Sequence, residues 1–114
     1  MEIKTLRTKA DRLFQQYIVN KYPRCEICGR KTQVAHHYFV KAVSSSLRYE
    51  EKNAIPLCNI HHFKFHSMFS AEMNGIIIEK RGIKWFKSLQ KQRNEVWKTT
   101  KANYNKVIEQ YENS

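Results

Sequence analysis

Between Glu2 and Asn20 the apolar residues Ile3, Leu6, Leu13, Phe14, Tyr17 and Ile18 recur at helical spacing, with lysines and arginines between them. That pattern predicts an amphipathic helix. Tyr22-Pro23 should end it, because a residue before proline avoids helical angles. From Cys25 to about Phe69 the pattern is shorter in range. Gln33-Val34-Ala35 reads as a strand, Ser44-Ser45-Ser46 as loop, and Ala54-Ile55-Pro56-Leu57 as a second extended piece. Cys58 onward can be helical as far as Asn74-Gly75, a natural stop. From Gly82 to the end, Trp85, Leu89, Val96, Tyr104, Val107 and Ile108 predict one long helix. The expected class is α+β: a turn, strand, loop, strand and helix between an N-terminal helix and a long C-terminal one.

The length of 114 residues suits one domain, in three parts: 1–22, 23–75 and a basic helical arm over 76–114. The net charge of +11 favours a polyanionic partner: DNA, RNA or an anionic membrane. A merely soluble basic surface is the alternative. The longest apolar run, Ile76-Ile77-Ile78, falls far short of the roughly 18 residues that span a bilayer, so a membrane is not expected. Met1-Glu2-Ile3-Lys4 lacks an apolar secretory core, and the expected compartment is the cytoplasm. Lys84, Lys87 and Lys91, with Arg93, Lys98, Lys101 and Lys106, form either a solvated face or a nucleic-acid track.

All three cysteines and all five histidines fall between Cys25 and His66. An odd cysteine count argues against a closed disulfide framework. Cys25-x-x-Cys28 followed by Gly29 has the form of a zinc knuckle: the gap turns both thiolates onto one ion and glycine permits the tight turn. Cys58-x-x-His61 offers a second pair at the same internal spacing. Cys25, Cys28, Cys58 and His61 would close a four-ligand shell, the mark of a structural Zn²⁺. Three buried free cysteines with a surface histidine is the alternative. His62 is adjacent to His61 and could also be the knuckle ligand. We assign His61, because it repeats the first gap and only His62 has a partner at His66.

His62 and His66 are one helical turn apart and share a face. His36 and His37 are neighbours at a strand end, so their side chains point to opposite sides. His36 would then complete a three-histidine set with His62 and His66, and His37 would be left to act as a base. Three protein ligands leave positions open, as in a catalytic site. Each histidine also has a plain reading, as an exposed helical pair or as packing residues.

In order and type, these residues resemble the HNH endonucleases. The match runs Cys25-Glu-Ile-Cys28, Ala35-His36-His37, Asn53-Ala-Ile-Pro-Leu57-Cys58, His61-His62 and His66, over about forty residues. The resemblance implies a ββα-metal (His-Me finger) centre: two short antiparallel strands and a helix clasping one divalent ion, Mg²⁺, Mn²⁺, Ni²⁺ or Zn²⁺. It gives His36, His62 and His66 the role of ligands and His37 that of general base. It gives Asn53 the role of bracing the loop and helping to hold the base. It implies DNA hydrolysis to a 5′ phosphate and a 3′ hydroxyl. His61 departs from the family, which carries a fourth cysteine there.

The helix leading into the knuckle, with Ala35-His36-His37-Tyr38 and Leu47-Arg48-Tyr49, more loosely resembles the phage NinG (Rap) recombination nucleases, whose members cut branched DNA. That implies a phage origin and branched or junction DNA as partner; a second copy or a phage protein complex is a separate expected partner. Arg48 would contact the scissile phosphate as a bidentate donor; a surface arginine is the alternative. Against the nuclease stand a non-catalytic zinc-stabilised DNA-binding module, an RNA-directed nuclease, and a structural component docking through its C-terminal helix.

Overall fold

The structure, a computed structural model, describes residues 2–41 and 44–113. Helix α1, Ile3–Lys21, buries Leu6, Ala10, Phe14 and Ile18, one residue per turn. It stops where expected, before Pro23, with the Tyr22 amide donating to the Ile18 carbonyl at 2.9 Å. Strand β1, Val34–His37, pairs antiparallel with β2, Ala54–Leu57, in the register His36 opposite Ile55 and Ala35 opposite Pro56. Pro56 has no N–H to leave unpaired. Its carbonyl accepts from the Glu26 amide at 2.9 Å, which ties the Cys25–Cys28 turn to the sheet. Across the sheet, the Gln15 side chain clamps Ala35: its Oε1 accepts from the Ala35 amide at 3.0 Å and its Nε2 donates to the Ala35 carbonyl at 2.7 Å.

Helix α2 spans Asn59–Phe65, α3 spans Ser70–Arg81, α4 spans Ile83–Arg93 and α5 spans Lys101–Glu112. These boundaries correct two expectations. Asn74-Gly75 is not a stop: α3 runs through it, burying Met73 and Ile77 on either side. The actual break lies at 66–69. There the Ser67 hydroxyl donates to the Lys64 carbonyl at 2.9 Å and accepts from the Phe69 amide at 3.2 Å, replacing helical backbone bonds with side-chain ones. Between α3 and α4 the chain turns at Gly82, whose φ of 93° suits a residue without Cβ.

The long C-terminal helix is two helices, α4 and α5. The Ser46 and Ser44 hydroxyls donate to the Gln92 and Arg93 carbonyls at 2.7 and 3.3 Å, satisfying carbonyls that a helix end leaves open. Thr100 restarts the helix as an N-cap, accepting from the Asn103 amide at 3.1 Å. Helix α5 is therefore no free arm. It lies against α1, with Tyr104, Val107, Ile108 and Tyr111 entering the same core as Phe14 and Ile18. A second core gathers Cys25, Ile55, Leu57, Cys58, Phe65, Met73 and Ile77. The sheet stands between them, Ala35 and Ala54 facing one core and Ile55 and Leu57 the other. No helix among the described residues is long and apolar enough to cross a membrane.

Candidate metal centres and catalytic cavity

The knuckle closes as the spacing predicts. Gly29 takes φ 76°, and its amide donates to the Cys25 carbonyl at 2.8 Å, closing the turn. Cys58 sits at the entrance to α2 and His61 lies one turn on. Four ligand atoms, from Cys25, Cys28, Cys58 and His61, lie within 4.8 Å of one another. Cys28 Sγ stands 3.8 Å from Cys58 Sγ, and His61 Nδ1 stands 3.3 Å from Cys58 Sγ and 3.9 Å from Cys25 Sγ. A tetrahedral zinc has S–S edges of about 3.8 Å and S–N edges of about 3.6 Å, from bonds near 2.3 and 2.1 Å. The cluster fits that ion. Burial opposes ionisation of the Cys25 thiol, but the backbone amides of Cys58, Cys28 and Ile27 outweigh it and hold the thiol below its ordinary range.

The second cluster joins His36 of β1 to His62 of α2 and His66 at the C-cap of that helix, again with ligand atoms within 4.8 Å of one another. His62 Nε2 and His66 Nε2 are 3.1 Å apart, close to the roughly 3.0–3.4 Å edge expected for two imidazoles on one ion. Phe65, between them on α2, stacks on the His36 ring at 4.6 Å and keeps it 7% exposed. Burial first, and the neighbouring His62, His66 and His37 rings next, push the His36 pKa down to about 3. The ring stays neutral, as a metal ligand must.

His37 lines the same cavity, of about 440 Å³, as the triad, but on its α1 side. Its Nε2 stands 2.8 Å from the Arg48 carbonyl, which can only accept, so Nε2 carries the proton. That leaves the Nδ1 lone pair as the basic position. Burial lowers the His37 pKa, and the Arg48 carbonyl only partly restores it.

Asn53 is wholly buried. Its Oδ1 accepts from the Phe39 amide at 2.9 Å, and its Nδ2 donates to the Phe39 and Leu47 carbonyls at 3.0 and 3.2 Å. It thus staples both ends of the loop after β1, one residue from the Arg48 carbonyl.

Arg48 departs from expectation. Its guanidinium does not line the cavity. Its fork is occupied by Asp11 of α1, Nε to Oδ1 at 3.0 Å and Nη2 to Oδ2 at 2.6 Å. The Tyr49 hydroxyl adds a third bond to Asp11 at 2.8 Å. The Arg48 side chain fixes the segment, and its backbone carbonyl meets the histidine. Lys84, Lys87 and Lys91 are exposed along α4, and none lines the cavity.

Gln15, Lys41 and Asp11 belong to the site's surroundings and escaped the sequence reading. Gln15 shared the polar face of α1 with many residues. The Asp11–Arg48 pair spans 37 positions with no local pattern to announce it. No protein-family model, curated protein or solved structure matches the chain.

Proposed function

We infer that this chain is a metal-dependent HNH endonuclease that hydrolyses DNA phosphodiester bonds. What supports the reading most is one juxtaposition. Three histidine donors converge from a strand and a helix, and a fourth histidine on the same cavity has its tautomer fixed by a backbone carbonyl. A DNA-binding module has no need of that second set. The knuckle is taken as a structural Zn²⁺ site pinning α2 to the sheet, the two elements of a ββα-metal centre.

A divalent ion held by His36, His62 and His66 would supply Lewis-acid stabilisation of charge growing on the phosphate. The protein's own part falls to His37. Its Nδ1 takes a proton from water as the water oxygen bonds to phosphorus. The bond from phosphorus to the 3′ oxygen breaks, and solvent protonates that oxygen. The products are a 5′ phosphate and a 3′ hydroxyl. Hydrogen bonding to the Arg48 carbonyl stabilises the imidazolium once His37 is charged. Phage recombination intermediates and branched DNA are the substrates that the looser resemblance adds.

The test is cleavage of plasmid and branched DNA with added Mg²⁺, Mn²⁺, Ni²⁺ or Zn²⁺, wild type against His37→Ala. Expected is metal-dependent cutting that falls by at least about a hundredfold in the variant, the usual worth of a general base. If neither protein cuts any substrate with any metal while both bind DNA, the zinc-stabilised binding module is the better account.

A further inference from the structure

The geometry points to the outward face of α1, rather than α4, as the surface that carries the DNA strand away from the histidine cavity. This inference rests on the nuclease reading above and deepens it. Five cations lie on α1, and their partners sort them. Arg7 donates to the Tyr104 hydroxyl at 3.0 Å, Lys9 pairs with Glu112 at 3.2 Å, and Lys21 pairs with Glu51 at 2.9 Å. Asp11, the helix's one acid, is neutralised by Arg48. Lys4 and Arg12 remain: both are exposed, and among the described residues neither side chain has a hydrogen-bond or ion-pair partner.

Position along the helix does the rest. Residues 4, 8, 12 and 15 are three or four apart, so they form one stripe. Lys4, Thr8 and Arg12 are exposed and turned away from the buried line of Leu6, Ala10, Phe14 and Ile18, whereas Gln15, at the end of the stripe, turns in toward β1. Lys4, Thr8 and Arg12 line one shallow depression, and Gln15, the next residue in the stripe, lines the histidine cavity. Lys41 stands on the same cavity. Lys4 to Gln15 spans about 16 Å, roughly half a turn of duplex, so a backbone leaving the cavity meets Arg12 and then Lys4. Of the acids, Glu112 beside the depression is paired with Lys9, and Glu26, Glu50 and Glu51 surround a separate cavity that shares no residue with the histidine one. A strand running along α1 meets cations without crossing that cluster. The lysines of α4 sit on the helix face turned from Trp85 and Leu89, and no residue of α4 lines the histidine cavity.

The test measures binding of duplex and junction DNA over a salt series, in the His37→Ala background so that substrate is not consumed. The double variant Lys4→Ala/Arg12→Ala is compared with Lys84→Ala/Lys87→Ala/Lys91→Ala. Each lost phosphate contact lowers the slope of log K against log salt by about one. The α1 variant should bind more weakly, with a slope shallower by about two, while the α4 variant keeps the parent slope. Arg12→Lys, which keeps the charge, should restore most of the loss. Because both α1 side chains are exposed and unpaired, thermal unfolding should not move. An unchanged slope in the α1 variant, or an equal loss in both, overturns the α1 track and leaves the nuclease reading intact if the wild type cuts. Binding to an RNA duplex but not to DNA overturns it too. A wild type that neither binds nor cuts DNA removes the nuclease reading itself, and the track with it.

Discussion

His36 and His37 are chain neighbours set in different surroundings. His36 is enclosed by Phe65 and two other imidazoles, so its neutral, ligating form is favoured. His37 owes its tautomer to one carbonyl. Residue type and spacing made both clusters legible, since few patterns place thiolates and imidazoles so regularly. The tautomer was not legible, because a carbonyl leaves no trace in side-chain identity. The same holds for Asn53, whose role came through resemblance and whose three bonds could only be counted in the fold. Asn53→Ala leaves one amide and two carbonyls of the loop without their partner. At roughly 1–3 kcal/mol for a buried unmet group, partly relieved by water, the loss should be about 3 kcal/mol in denaturant unfolding. Asn53→Asp should do no better: it keeps the Phe39 amide but sets an oxygen against the Phe39 and Leu47 carbonyls. A loss under about 1 kcal/mol in both variants would mean that the loop does not depend on this amide.

At the scale of elements, α1 holds the loop beside His37 from outside. Gln15 clamps β1 beside His36, and Asp11 clamps the segment whose carbonyl meets His37. Burial raises the Asp11 pKa, but bonds from Arg48 and Tyr49 outweigh that and leave it below the ordinary 3.8. A depressed carboxyl gives stability that is full above the unfolded pKa and lost as pH falls through the folded one. The wild type should therefore shed this contribution only below about pH 4, and Asp11→Asn should flatten that acid limb. Near neutrality Asp11→Asn keeps the shape and weakens the clamp. Expected is a lower kcat with KM little changed, and a mixed His37 tautomer in imidazole ¹⁵N spectra where the wild type shows Nε2–H alone. A wild-type spectrum and pH limb retained in Asp11→Asn would reduce the pair to a surface bridge.

Elements differed in how openly the sequence declared them. Helix α1 was readable because one side of it is apolar at the helical period, β2 because its short run is apolar throughout, and β1 in its apolar start at Val34-Ala35. The α2–α3 break and the α4–α5 break were not, because they are made by serine and threonine hydroxyls. Ser67 acts locally, whereas Ser44 and Ser46 act on carbonyls 46 or more positions away. Thr99-Thr100 before Lys101 was the one readable signal for the second break, a capping residue inside an apparently continuous period.

Taken whole, the molecule has two cores joined by a two-stranded sheet, which puts weight on the knuckle. Helix α2 has seven residues, too few to persist alone, and it carries His62 with His66 at its end. Its fastenings are Phe65 in the second core and the pair Cys58 and His61. A metal joining those two to Cys25 and Cys28 would therefore fix α2 against the sheet whether or not the three-histidine cluster holds an ion. Cys28 is exposed and lies outside the second core, so Cys28→Ser removes a ligand while disturbing little packing. His62→Ala removes a ligand from the other cluster alone. The two variants should separate cleanly. Cys28→Ser should lose bound zinc and at least about 3 kcal/mol, near 10 °C in Tm for a chain of this size, and cutting should fall with it. His62→Ala should keep its zinc and most of its Tm while losing cleavage. Equal zinc content and equal Tm in Cys28→Ser and wild type would mean that packing alone holds α2. Cleavage retained in His62→Ala would place the reacting phosphate somewhere other than the three-histidine cluster.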